Sequence, residues 1–114
     1  MAAEVTALSK AYDLTVWTAE RVARFPRTHH YTIGQRMVTT LLDVQELLIE
    51  AHYSKEKRTL LRRVNLLLER LRLLVRLSKD LRCLSLSQYE FSARAINETG
   101  RLVGGWLRQQ ERDA

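Results

Sequence analysis

Apolar residues recur along most of this chain at alternating steps of three and four, the spacing that gathers side chains on one face of an α-helix. In the first segment the repeat runs Val5, Leu8, Tyr12, Val16, Ala19 and Val22/Ala23, which predicts a helix with that stripe buried. Pro26 ends it, because proline has no N–H to continue the ladder and biases Phe25 away from helical backbone. Residues 25–31 therefore read as a connection. A second helix is expected to open at Thr32, where Thr32-Ile-Gly-Gln35 fits a capping box, with Ile33, Met37, Leu41, Val44, Leu48 and Ala51 on its inner face. A short link at His52–Ser54 leads to a third helix, roughly Lys55 to Arg82. Its core stripe is Leu60, Leu61, Val64, Leu67, Leu68, Leu71, Leu74 and Val75. After a connection at Leu84–Leu86, a second capping box, Ser87-Gln-Tyr-Glu90, predicts the start of a fourth helix. Tyr89, Ser92/Ala93, Ile96, Gly100, Val103 and Leu107 mark its inner side. Short links force neighbouring helices to run antiparallel, so the expected fold is all-α, a single-domain up-down four-helix bundle.

The third helix carries more apolar surface than such a bundle uses. At 100° per residue, Leu66, Leu73 and Leu77 fall opposite the core stripe, edged by Arg62, Arg63, Arg70 and Arg76. An apolar seam on the outside of a small bundle reads as a subunit interface, which predicts a closed homo-oligomer. Three separately tolerated surface leucines are the plainer alternative.

Composition fits this picture. The 114 residues amount to one domain, and 46% apolar with 28% charged residues is a globular balance. Four Gly and one Pro against twenty Leu supply too few turns for a sandwich or barrel. The longest run without Lys, Arg, Asp or Glu, Thr28–Gln35, is far too short to cross a bilayer, so no membrane partner is expected. The opening residues resemble no secretory signal, and the lone Cys83 makes no internal disulfide, which together suggest a cytoplasmic protein.

Charge narrows the function. Nineteen Lys and Arg against thirteen Asp and Glu give a formal net charge of +6, and fifteen of the cations are Arg, the planar fork suited to phosphate and carboxylate. Lys55 to Arg82 alone holds ten cations and three acids, so the whole excess sits on the third helix. Arg58, Arg62, Arg63, Arg70, Arg72, Arg76, Lys79 and Arg82 are the binding candidates this imbalance selects, for nucleic acid or for an acidic protein partner. Arg27, Arg36 and Arg101 read instead as partners for Asp43, Glu50 or Asp80.

Catalytic chemistry has little footing. The imidazoles His29, His30 and His52 lie in no His-Glu-x-x-His or Glu-x-x-His pattern, and the glycines form no phosphate-binding loop. Nothing calls for a metal or cofactor. Arg82 beside Cys83 would lower the thiol pKa, whereas a buried structural cysteine is the commoner case. The remaining signals are structural: Phe25 and Pro26 closing one bundle end, Gly34 allowing close helix approach, and Gly100, Gly104 and Gly105 baring the fourth helix to another helix. Trp106 would cap that gap in the core, with stacking on a nucleobase as the functional alternative.

The connection Phe25-Pro-Arg27 followed by Tyr31-Thr-Ile-Gly34 resembles the interhelical signature of accessory variability determinant (Avd) proteins of diversity-generating retroelements. The likeness continues through Leu71-Arg-Leu-Leu-Val-Arg76-Leu-Ser-Lys-Asp80-Leu, Ser87-Gln-Tyr-Glu90 and Thr99-Gly-Arg101-Leu-Val-Gly-Gly-Trp106-Leu, so that it covers roughly Tyr12 to Trp106. The resemblance implies a homopentameric, barrel-like assembly of four-helix protomers with a basic surface. It also implies a nonenzymatic role beside the retroelement's reverse transcriptase and RNA, or an RNA/DNA hybrid, during mutagenic retrohoming. A bundle family encoded in intervening sequences of bacterial large-subunit rRNA genes shares the architecture. The alternative function is a protein scaffold without nucleic-acid contact.

Overall fold

The computed structural model describes residues 2–113, with the side chains of residues 2, 3 and 5 outside the description. Four long helices carry the fold: α1 (Ala2–Val22), α2 (Gln35–Tyr53), α3 (Lys57–Asp80) and α4 (Leu86–Asp113). No strand occurs among the described residues. Helix α1 packs on α2 and α4, and α3 packs on the same two, which places α1 and α3 at diagonal corners of a bundle 46 Å long and about 20 Å across.

The inner faces of α2, α3 and α4 follow their periodicity. Met37, Leu41, Val44 and Leu48 meet Leu61, Val64, Leu68, Leu71 and Val75, and Ile96, Val103 and Trp106 close the layer. Leu60 and Leu74 sit at its edge, only partly buried.

Helix α1 departs from the expected stripe. Ala7, Ala11, Leu14, Thr18 and Val22 face the core, whereas Tyr12 is 58% exposed and Val16 and Ala19 also face outward. Val5, expected in the same stripe, lies outside the described side chains. The physical reason is size: Ala7 and Ala11 let α1 approach its neighbours closely, and turning the helix to bury Tyr12 would expose Leu14. Thr15 and Thr18 are tolerated there because hydroxyls can bond back into the helix, as Thr15 Oγ1 does to the Ala11 carbonyl at 2.7 Å.

The α1–α2 connection is tighter than its sequence suggests. Helical backbone resumes at Arg27, one residue after Pro26, as an α turn (Arg27–His29) followed by a π turn (His30–Gly34) that runs into α2. Proline suits this start because the residue before a helix needs only its carbonyl, and Pro26 O accepts from His29 N and His30 N, both at 2.9 Å. The box expected at Thr32 is absent: Thr32 already lies inside the helical run, and its hydroxyl bonds back to the Thr28 carbonyl at 3.3 Å. His30 Nδ1 donates to Val22 O at 2.9 Å, satisfying a carbonyl at the end of α1 and fixing that ring tautomer.

Two further ends have specific caps. Lys57 Nζ donates to Ala51 O and His52 O at 2.7 and 2.9 Å, covering the last carbonyls of α2. At the start of α4 the capping box is Ser85 with Gln88, two residues earlier than Ser87 with Glu90. Ser85 Oγ accepts from Gln88 N at 3.2 Å, and Gln88 Oε1 accepts from Ser85 N at 2.9 Å.

Candidate nucleic-acid interface

On the outer side of their packing, α3 and α4 leave an open groove of about 850 Å³ between them. The groove exists because α4 presents glycine there: a Cβ at Gly104 would meet only the Arg108 guanidinium, 3.5 Å away, and one at Gly100 would lie 3.4 Å from Arg72 Nη2. The space expected to receive another helix at Gly104 and Gly105 is therefore open within the protomer, with Arg108 bending over it. Trp106, the residue after Gly105, is 1% exposed in the core, so its ring is not available to stack on a base.

Arginines line both walls. Arg62 and Arg72 come from α3, Arg101 and Arg108 from α4, with Asn65 and Asn97 between them and Glu69 as the one acid. Arg72 is held by its neighbours: it pairs with Glu69, and its Nε and Nη2 donate to Asn97 Oδ1 at 3.3 and 3.1 Å, tying α3 to α4. Arg62 has only a long contact, 3.8 Å, to Glu111. Arg101 and Arg108 have no ion-pair partner among the described residues, and the same holds for Arg27 and Arg36. Toward the bundle end, past Arg62, lies a recess of mixed charge in which Lys55, Lys57 and Arg58 stand with Glu56 and Asp113. The stretch of α3 from Arg58 to Arg72 is about 21 Å long, the span of about six phosphates of one duplex strand.

The eight candidates on the third helix do not act as one surface. Arg62 and Arg72 join the groove, and Arg58 the recess beyond it. Arg63, selected by the charge imbalance of its own segment, turns the other way, into a cleft with Asp43, Glu46 and Glu50 of α2. Arg70 and Arg76 are exposed beside the outer seam, where Leu66 and Leu73 are 63% and 65% exposed and Leu77 is exposed as well. Lys79 is engaged, 3.4 Å from Asp80 and over the Tyr89 ring at 4.8 Å. Arg82 sits in the turn that ends α3. Arg101 and Arg108 are the groove-lining cations that segment charge missed. The span from Leu86 onward has four Arg and four acids, yet the helical step sends Glu98 toward α1, where Lys10 holds it at 2.9 Å, and leaves Arg101 and Arg108 on the groove side.

Cys83 does not look like a nucleophile. Burial pushes its thiol pKa up, which favours the protonated thiol over the nucleophilic thiolate. Phe25 is buried, packing with Val22 around Gly34, while Pro26 and Arg27 are exposed. No described helix is long and apolar enough to cross a membrane.

No curated protein matches the sequence. Compared with protein families, residues 6–110 match the family described as bAvd-like, which takes in all four helices, the Phe25–Gly34 connection and the whole arginine groove. The chain belongs to the bAvd-like family.

Proposed function

We propose that this protein is a nonenzymatic accessory factor of a diversity-generating retroelement, binding the element's RNA, or its RNA/DNA hybrid, along the α3–α4 groove and associating with the reverse transcriptase. The observation that carries the reading is the Gly100–Gly104 floor beneath Arg62, Arg72, Arg101 and Arg108. A glycine floor admits a bulky backbone, and guanidinium forks bond phosphate oxygens. In this reading the protein works as a closed homo-oligomer, with five subunits following from the family resemblance, and a ring would add the fields of several grooves. Affinity for a labelled RNA, measured by anisotropy at about 50 and about 200 mM salt, tests it: several phosphate contacts require a steep fall with salt. Absence of RNA binding at the lower salt would leave the scaffold that docks only on an acidic protein.

A further inference from the structure

Among the described residues of the groove, Arg72 is the arginine held in place by its neighbours. Its guanidinium lies against the bare backbone of α4, where a Cβ on Gly100 would stand 3.4 Å from Nη2. Nε and Nη2, the side edge of the fork, both donate to Asn97 Oδ1, at 3.3 and 3.1 Å. That leaves the end edge, Nη1 with Nη2, and there Nη1 donates to the Glu69 carboxylate. Guanidinium forks bind carboxylate and phosphate through the same donors, so Glu69 stands where a phosphate oxygen would bond.

The two partners of Arg72 differ in how firmly they hold it. Glu69 lies one helical turn before Arg72, and its side chain is 67% exposed. An exposed pair of this kind contributes little, so the carboxylate can swing into water at small cost. The bonds to Asn97 use the other edge and persist when Glu69 leaves. A single anion gains little from the exchange, because it replaces one charge-assisted pair with another while the displaced Glu69 charge remains close by. A chain of phosphates meets further cations at the same time. Arg62 lies about 15 Å from Arg72 along α3, and Arg101 about 10 Å from Arg108 along α4, a spread too wide for one ion to engage all four.

We propose that Glu69 is a displaceable stand-in for phosphate on Arg72, which makes the groove select a chain of phosphates over a single anion; this rests on the phosphate-binding reading of the groove given above.

A double-mutant cycle tests it, read by the anisotropy of a labelled single-stranded RNA at about 50 mM salt. Glu69→Gln binds the RNA about threefold more tightly than the wild type. Arg72→Ala binds it more weakly, and in that background the gain from Glu69→Gln shrinks. A gain of the same size without Arg72 makes Glu69 a general charge and overturns the proposal. The Nε–H resonance of Arg72, identified by its absence from Arg72→Ala, reads the exchange directly. RNA moves it in the wild type, whereas inorganic phosphate at matched ionic strength moves it only in Glu69→Gln. Phosphate moving it equally in both proteins, or bound RNA leaving it unmoved, overturns the proposal. A wild-type protein that binds no RNA at this salt overturns the phosphate-binding reading itself, and the role of Glu69 with it. Helical circular dichroism checks each variant's fold. If Arg72→Ala unfolds, Arg72→Gln, which keeps a polar side chain beside Asn97 without the charge, takes its place in the cycle.

Discussion

Gly34 and Val22 touch so closely that a Cβ on Gly34 would lie 2.6 Å from Val22 Cγ1. The same methyl would stand 3.3 Å from Phe25 Cδ2 and from the His29 carbonyl oxygen. Val22 is stiff at χ1 and buried, so it cannot swing away, and the start of α2 would be pushed off the end of α1. Gly34→Ala is therefore expected to cost about 1–3 kcal/mol, the usual penalty for overpacking. Urea unfolding measures it, and an unchanged midpoint would mean that the π turn yields without cost.

Arg82 has φ of 64°, in the left-handed region, where a side chain is strained. Cys83 N donates to Ser78 O at 2.8 Å and Arg82 N to Lys79 O at 2.9 Å, the bonding of a Schellman ending whose left-handed position favours glycine. Arg82→Gly should stabilise the protein by about 1 kcal/mol, raising Tm by roughly 4 °C. Because Arg82 does not line the groove, RNA affinity should change by less than about twofold. Calorimetry showing a lower Tm would contradict the strain argument.

If the groove holds phosphate, Arg101→Ala with Arg108→Ala should weaken RNA binding by about tenfold or more and reduce the slope of log affinity against log salt by roughly 1.5–2. Arg63→Ala, in its acidic cleft, should leave both nearly unchanged. The reverse ranking would move the nucleic-acid surface to the α2–α3 side. Lysine at both groove positions separates bidentate contacts, which weaken, from a general field, which does not.

The Glu98 carboxyl is held below the usual 4.5 by its hydrogen bond from Lys10 Nζ and by that residue's charge, with Arg101 and Arg94 adding smaller pulls. A depressed carboxylate stabilises the fold fully above the unfolded pKa and loses that contribution as pH falls through the folded one. Stability should thus decline with acid in the window below 4.5, and Glu98→Gln should flatten that part of the profile. Lys10→Met should return the Glu98 titration, followed by carboxyl NMR, toward its ordinary value. A titration unmoved by that change would assign the shift to the arginines.

Four antiparallel helices, the inner faces of α2, α3 and α4, and the unused seam on α3 were all determined by the sequence itself. Hydrophobic spacing and short links depend only on local geometry and chain length. The resemblance carried by Phe25–Gly34 and by the pieces from Leu71 to Leu107 likewise needed no coordinates. Tertiary structure decided which stripe of α1 turns inward. Ala7, Ala11 and Leu14 compete with Tyr12 and Val16 at the same helical period, and only the closeness of α2 and α4 selects the smaller side chains. Structure also divided the arginines. Net charge along a segment is blind to direction around a helix, so it combined Arg63 with Arg72 although they face different clefts, and it balanced Arg101 and Arg108 against acids such as Glu98, which turns to α1. A groove is a property of two helices and the gap between them, and its glycine floor gains its meaning only once α3 stands beside it.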